Sequence, residues 1–277
     1  MRWADLDMLG HVNNVVYADY LQEARADMIG IHAPRVEGQP QDGLVIVSHQ
    51  MRYRKPLLFD FDPVLVETWV TEIKAATFSL SYEIFTEADG VREVYVEASS
   101  VLTPFVFETE SARRLRPEEK SFLERYLEPA PVETPVFGEP HHTELGHYPL
   151  KVRFSDVDSY GHANNVQYFE FFQEGRVSFL RHARHGTLPE EGGYTPVVVA
   201  QADVTYRKPV LFRPEPYDVY SWLAKLGTKS AVIEQEIVDG GETISRGRYV
   251  MVFFDPKTGR AVELPADERA AFEELLP

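Results

Sequence analysis

The chain has 277 residues and a formal net charge of −16 at pH 7, which disfavours general binding to nucleic acids and to anionic membranes, because both are polyanions. It contains no cysteine, and this excludes disulfides, thiolate metal sites and cysteine nucleophiles. Hydrophobic residues make up 44% of the chain, so we expect a folded protein. The sequence has no apolar run as long as the ~18 residues of a membrane span and no signal-peptide core, so we expect it to be cytoplasmic.

The sequence is an internal repeat. Residues 2–29 and 153–180 align without a gap and are identical at 12 of 28 positions. A second stretch, YRKP at 53–56, returns at 206–209. The repeat predicts two units, at residues 1–127 and 148–277. The prolines between them predict a semi-extended linker at 128–147.

Each unit shows the same order of predicted elements. A short strand leads into an Asp-x-Asp-x-x-Gly-His-x-Asn-Asn run, and apolar residues at a helical period then predict a long helix. In the first unit this helix begins at Asn14 and is expected to stop at Gly30, and in the second it covers 165–181. Four strands and a short terminal helix follow in each unit. The predicted strands are 44–53, 64–73, 77–85 and 91–107 in the first unit, and 196–206, 217–226, 230–238 and 243–254 in the second.

This order predicts an α+β fold, in which a five-stranded antiparallel sheet wraps around one long helix in each unit. The two units differ at their beginnings. The second has a strand-like approach at 148–154, whereas the first has only residues 1–3 ahead of its Asp-x-Asp. Either the first strand is short there or the natural start lies upstream, and we favour the second explanation.

The repeated run carries a resemblance to a known family. Residues 5–14 read DLDMLGHVNN and residues 156–165 read DVDSYGHANN, and each run is followed by a tyrosine, Tyr17 or Tyr168. These residues, ahead of a helix and in this strand order, resemble the hotdog fold and its 4-hydroxybenzoyl-CoA thioesterase-like branch. They are also similar to the first hotdog of plant acyl-ACP thioesterases. The resemblance implies a tandem double hotdog that hydrolyses acyl thioesters.

The resemblance implies that the second aspartate of each Asp-x-Asp, Asp7 and Asp158, is the catalytic carboxylate, acting as a nucleophile or as a base for water. It also implies that a backbone N–H at or near Asn14 and Asn165 polarises the thioester carbonyl. The first N–H groups of a helix suit this role, because they lack partners within the helix. The alternative for both aspartates is structural, since Asp is favoured in turns that lead into helices.

Glycine and histidine follow in both runs. Gly10 and Gly161 are expected to allow a tight turn with positive φ that brings the backbone close to the substrate. His11 and His162 could orient the carboxylate, donate to the thioester oxygen or protonate the leaving thiolate. The alternative is a histidine held by hydrogen bonds of the turn, and both readings stay open at this point.

Other repeated residues divide between substrate contact and structure. Tyr17 and Tyr168 belong to the aromatic-rich helices against which an acyl group would lie, although most such aromatic residues pack in the core whatever the function. The first aspartates, Asp5 and Asp156, are expected to be structural turn partners. Hotdog units generally work in pairs, which implies that the tandem chain supplies its own pair and that further homo-oligomers of this pair can form.

Coenzyme A brings phosphates that an acidic protein must meet with localised cations. The candidates are Arg54, Lys55, Arg207 and Lys208, each at the end of a predicted strand and ahead of a proline. An acyl-ACP substrate would need a basic patch for the carrier protein, so the charge favours acyl-CoA. No metal-ligand spacing, glycine-rich phosphate loop or serine elbow is present, and we expect no cofactor.

Two other functions remain open. The first is a hotdog enoyl-thioester hydratase or dehydratase, which also uses a carboxylate and a histidine near the helix but at a different spacing. The second is a non-catalytic acyl-CoA-binding protein, which would bind without turnover. Release of free thiol from acyl-CoA separates hydrolysis from both.

Overall fold

A computed structural model describes residues 1–32, 42–158, 161–185 and 194–277 of the protein. The chain divides into two units, Met1–Pro135 and Val136–Pro277. In each of them one long helix packs on an antiparallel sheet, which is the predicted α+β fold.

Unit 1 has four long strands. They follow one another in the sheet in the order β2-β3-β4-β1, and a two-residue strand, β5, pairs with β4. The elements of unit 1 are α1 (Val16–His32), β1 (Asp42–Tyr53), β2 (Leu65–Ile73), β3 (Phe78–Ala88), β4 (Val91–Val106), β5 (Ser111–Ala112) and α2 (Pro117–Glu124).

Unit 2 has five main strands in the order β7-β10-β9-β8-β6, and a two-residue strand, β11, pairs with β10. The elements of unit 2 are β6 (His147–Leu150), α3 (Gln167–His185), β7 (Val197–Tyr206), β8 (Tyr217–Leu226), β9 (Ser230–Asp239), β10 (Glu242–Asp255), β11 (Arg260–Ala261) and α4 (Ala266–Glu273). The eight predicted strands are confirmed to within three residues at each end.

Several details of the elements differ from prediction, and one is that α3 continues to His185, four residues past its predicted end at 181. A 3₁₀ turn, Trp3–Asp5, takes the place of a first strand in the described residues of unit 1. The long helices begin at Val16 and Gln167, two residues after the predicted starts. Gly30 does not end α1, which continues to His32, because this glycine has no positive φ and a helical glycine costs only about 1 kcal/mol.

The core lies between each helix and its sheet. In unit 2 the ring of Phe172 on α3 packs against Tyr249 of β10. Helix α3 approaches β8 so closely that a Cβ on Gly175 would lie 2.7 Å from the Val219 side chain. Glycine therefore allows this approach, where unit 1 has Ala24 at the matching position.

The proline-rich segment between the repeats follows the surfaces of the two units. In unit 1 the Glu128 N–H donates to the Val70 carbonyl oxygen at 2.8 Å. In unit 2 the Gly138 N–H donates to the Glu234 carboxylate at 3.0 and 3.1 Å, and His142 lies 2.9 Å from Glu236. This part of the chain is thus hydrogen-bonded to the units that it joins.

The contacts of Gly138 and His142 lie on the face of the sheet that turns away from α3. Gln235 donates to the Phe172 carbonyl oxygen of α3, so its neighbours Glu234 and Glu236 point to the opposite face. Both glutamates are buried there, only 4% and 2% exposed, beside the cation Arg246. The Arg246 guanidinium lies 2.9 Å from Glu236 and 3.4 Å from Glu234, and donates to the Gly138 carbonyl oxygen.

Candidate active site

The Asp-x-Asp run of unit 1 forms a small closed loop. Leu6 and Val12 pair as an antiparallel bridge, which brings the two ends of the loop together. Across it the Asp7 N–H donates to the His11 carbonyl oxygen at 2.8 Å, and the Gly10 N–H donates to the Asp7 carbonyl oxygen at 3.1 Å. Gly10 has a φ of +77°, the conformation that was predicted for it.

Unit 2 repeats this loop. The Asp158 N–H donates to the His162 carbonyl oxygen at 2.8 Å, and the Gly161 N–H donates to the Asp158 carbonyl oxygen at 3.1 Å. Gly161 has a φ of +79°. Two copies that are identical at fewer than half of the aligned positions therefore keep the same backbone turn.

This turn leads to a first prediction. Replacing Gly10 or Gly161 by alanine meets no neighbouring atom within 4 Å, so the cost is conformational strain alone. An alanine at positive φ should lower the free energy of unfolding by about 1–2 kcal/mol. Chemical denaturation measures this, with Gly30→Ala as the control, because Gly30 is helical and also has open space around it. Gly30→Ala should instead raise the free energy of unfolding by about 0.5–1 kcal/mol. Equal effects at Gly10 and Gly30 would contradict the prediction.

The Asp7 carboxylate holds the turn with only one of its two oxygens. Its Oδ1 accepts the N–H of Leu9 at 2.8 Å and of His11 at 3.3 Å. Its Oδ2 accepts no hydrogen bond from any residue that the structure describes. The turn-holding alternative therefore applies to Asp7, and it leaves one carboxylate oxygen for chemistry. Asp7 and Asp158 are both half-buried.

The first aspartates are structural, as predicted. Asp5 accepts the Arg2 N–H and the hydroxyl of Tyr20, both through Oδ2. Burial, and the hydrogen bond to Asp5, raise the pKa of Tyr20 far above its ordinary value, so this hydroxyl keeps its proton. In unit 2 Asp156 accepts the Arg153 N–H at 2.7 Å.

The paired asparagines lie just ahead of each long helix. Asn13 and Asn164 are the capping residues, since their Oδ1 atoms accept the N–H of Val15 and Val166. Asn14, which was predicted to start the helix, lies in the turn between this cap and α1. Its N–H has no acceptor among the residues that the structure describes.

A tyrosine from the neighbouring strand holds the second asparagine of each pair. The Tyr53 hydroxyl at the end of β1 donates to the Asn14 carbonyl oxygen at 2.8 Å. The Tyr206 hydroxyl at the end of β7 donates to the Asn165 carbonyl oxygen at 3.0 Å. Sequence reasoning did not single out these tyrosines, although each stands directly before a repeated Arg-Lys-Pro.

The buried Tyr168 joins the loop of unit 2 to the chain that follows β7. Its hydroxyl accepts the Val210 N–H at 2.9 Å and donates to the Lys208 carbonyl oxygen at 3.3 Å. Val210 in turn accepts the Ala163 N–H. Tyr17 is equally buried and accepts the Leu57 N–H. Burial raises the pKa of both tyrosines well above the ordinary range, and these contacts position the loop.

The predicted phosphate-binding cations are exposed, and three of them have carboxylate partners. These pairs are Arg54 with Glu97 at 2.6 Å, Lys55 with Glu93 at 2.5 Å and Lys208 with Glu242 at 2.6 Å. Arg207 is exposed and makes no ion pair within the described ranges. Exposed ion pairs contribute little to stability, so a ligand phosphate can replace these carboxylates at little cost.

Arg25 and Arg176 occupy matching positions of the long helices, and both are buried. The sequence pattern did not distinguish them from exposed residues. Glu23 and Glu174 are exposed on the same helices. The Arg176 guanidinium lies 4.0 Å from the Tyr249 ring centroid and 3.2 Å from the Gln235 side-chain oxygen. Its role is therefore in the core of unit 2.

Comparison with known proteins identifies relatives of the chain. A family model described as the thioesterase-like superfamily matches residues 1–132 and 152–272. The long-chain acyl-CoA thioesterase FadM of Escherichia coli is 28% identical over 129 residues, which are 46% of this chain and 96% of FadM.

Solved structures match most of the chain. A protein named as an oleoyl thioesterase from Lactobacillus plantarum matches with a TM-score of 0.74 at 15% identity, over 92% of this chain and 94% of that one. The 12:0-ACP thioesterase from Umbellularia californica matches with a TM-score of 0.72 at 12% identity, over 92% of both chains. At these identities the likeness establishes the fold.

Two absences concern the described residues alone. No helix among them is long and apolar enough to cross a membrane. No group of three or more histidine, aspartate or glutamate side chains in the same ranges is placed to hold a metal ion.

Proposed function

Because the chain belongs to the thioesterase-like superfamily and is a thioester hydrolase, we propose that its substrates are acyl-CoA thioesters and that Asp7 and Asp158 carry the reaction. The likeness to a long-chain acyl-CoA thioesterase supports the choice of carrier. The acidic net charge supports it as well, since a protein carrier would need a broad basic surface.

One observation above all supports the catalytic role of Asp7. The hydrogen bonds of its turn occupy Oδ1 alone, and the Asn14 N–H of the same loop has no acceptor in the described part of the chain. A base and an oxyanion donor are the two groups that ester hydrolysis requires. The Asn13 N–H donates to the Asp5 carbonyl oxygen, so the turn that bears Asn14 folds back on the segment that leads into Asp7.

In the proposed reaction the Asp7 carboxylate takes a proton from water while the water oxygen attacks the thioester carbon. The negative charge that develops on the carbonyl oxygen is stabilised by the Asn14 N–H and by the positive end of α1. The C–S bond then breaks, the thiolate takes up a proton and Asp7 gives up the proton that it took from water, so that the products are a free acid and CoA thiol and the carboxylate is restored. Asp158, Asn165 and α3 repeat these roles in unit 2.

Three further groups of residues complete the proposal. His11 and His162 protonate the leaving thiolate as general acids. Gly10 and Gly161 keep the loop open to the substrate. Arg54, Lys55, Arg207 and Lys208 bind the CoA phosphates, with Arg207 contributing most because it has no carboxylate to release within the described residues.

A panel of thioesters tests this proposal. We expect free thiol to be released from acyl-CoA, and at lower KM than from the matching acyl-pantetheine, which lacks the 3′-phosphate and the pyrophosphate. Thiol appearance is followed with a chromogenic disulfide. Water addition to crotonyl-CoA without thiol release would instead indicate a hydratase. Saturable binding of every thioester without turnover would indicate a binding protein.

A further inference from the structure

Large apolar side chains are exposed beside the loop of each unit. In unit 1 Trp3 is 75% exposed, and its ring lies edge-on to Phe59 with 5.3 Å between the centroids. In unit 2 Phe154 is 78% exposed and lies edge-on to Phe212 at 5.9 Å. We name each set the aromatic shelf, which consists of Trp3, Leu58 and Phe59 in unit 1 and of Phe154, Leu211 and Phe212 in unit 2.

The shelves occupy matching positions of the repeat. Within the described ranges, only two aligned positions expose a large apolar side chain in both units, namely Trp3 with Phe154 and Leu58 with Leu211. Other exposed apolar residues have no such counterpart. Phe61 aligns with a proline and Val177 aligns with Ala26. Among the described residues, the exposed large apolar side chains that occur at the same position in both units are therefore those of the shelf.

The shelves are attached directly to the candidate active sites. Leu58 pairs as a β-bridge with His11, and Leu211 pairs in the same way with His162. Trp3 begins the 3₁₀ turn that runs into Asp5 and then Asp7. Each shelf is thus built from the two chain segments that border the catalytic loop.

Exposed aromatic residues that lie together are unusual on a soluble protein and mark a surface that meets an apolar partner. We infer that each aromatic shelf contacts the acyl chain of the thioester and sets a preference for long chains. The inference rests on the proposed function, because that function places a thioester at Asp7 and at Asp158. Of the apolar partners that could cover the shelf, the acyl chain is favoured because the repeated exposure coincides with the repeated loop.

The test compares chain lengths in the double variant Trp3→Ala, Phe154→Ala. The ratio of kcat/KM for a long saturated acyl-CoA to that for a short one should fall roughly tenfold, which corresponds to about 1.4 kcal/mol of lost contact. The effect should appear mainly in KM. Val177→Ala is the matched control, because Val177 is exposed on α3 and the first repeat has alanine at that position. The ratio should not change in the control.

A second measurement does not depend on turnover. Trp3 is far more exposed than the buried Trp222 and is also more exposed than the half-buried Trp69, so its emission is the most sensitive to a ligand at the surface. A long S-alkyl-CoA thioether, which cannot be hydrolysed, should shift the emission to shorter wavelength. An S-ethyl-CoA should not, and Trp3→Phe should lose the shift.

The outcomes separate the two proposals. If wild-type protein releases no thiol from any substrate, the proposed function is wrong, and the thioether shift alone decides the shelf. If thiol is released but the variants keep both the chain-length ratio and the emission response, the shelf inference is overturned. A uniform loss at all chain lengths, or a change of molecular mass in solution, would also overturn it, since the shelf would then contact the carrier or a second copy of the chain.

Discussion

Thiol release should fall by about 10²–10⁴-fold when Asp7 and Asp158 are both replaced by asparagine, the range expected for the loss of a general base. Asparagine keeps a side-chain oxygen that can accept from Leu9 and His11, as Asp7 does through Oδ1. The turn should therefore survive, and the free energy of unfolding should stay within about 1 kcal/mol of wild type. Activity and circular dichroism in denaturant measure the two effects.

The two sites allow an internal control for this prediction. Each single variant, Asp7→Asn or Asp158→Asn, should retain about half of the wild-type kcat if the repeated loops are equally competent. Replacing both aspartates by alanine should abolish turnover as well, but it also removes the acceptor of the turn and should lower stability by about 0.5–2 kcal/mol. Wild-type turnover in the double asparagine variant would exclude the carboxylates as catalysts and leave only their structural role.

The second large effect is expected on the face of the unit 2 sheet that turns away from α3. Arg246→Ala should lower the free energy of unfolding of unit 2 by about 3–5 kcal/mol. The variant leaves Glu234 and Glu236 buried without the guanidinium that lies 2.9–3.4 Å from them. Removing one partner of a buried ion pair costs more than the pair contributes, because the remaining charge stays desolvated.

An exposed pair provides the comparison. Arg54→Ala also removes a cation from a glutamate, Glu97, but both side chains are more than two fifths exposed, so the free energy of unfolding should change little. Urea denaturation of both variants, followed by tryptophan emission, gives the two values. A loss below 1 kcal/mol in Arg246→Ala would mean that Arg248, whose Nε lies 4.0 Å from Glu234, replaces the missing charge.

Local patterns were enough to predict the elements. Alternation along each strand and the glycine of the loop depend on neighbouring residues, and both were confirmed. The starts of the long helices were two residues early, because either asparagine of the pair can cap a helix and only the folded turn assigns this role to Asn13 and Asn164. Gly30 was misplaced as a helix end because glycine is compatible with both states.

Contacts that depend on the register of the strands could not be predicted from the sequence pattern. Arg54 and Lys55 were predicted as candidates to bind the CoA phosphates, and the sequence did not reveal that Glu97 and Glu93 reach them from β4. That pairing depends on the register of β1 with β4, which shifts at a bulge between Ile46 and Ser48. Similarly, helical periodicity alone does not reveal that Arg176 is buried, since its partners come from β9 and β10.

The hydrogen bonds of Gly138 and His142 have a consequence for dissecting the protein. A fragment cut at the start of the second repeat, near residue 148, would lack both residues, and two buried glutamates would lose partners. A fragment that begins at Val136 keeps them. The proline-rich segment that holds Gly138 and His142 is therefore part of the second folded unit. The two repeats are alike in sequence, but they cannot be excised or exchanged at the same boundary.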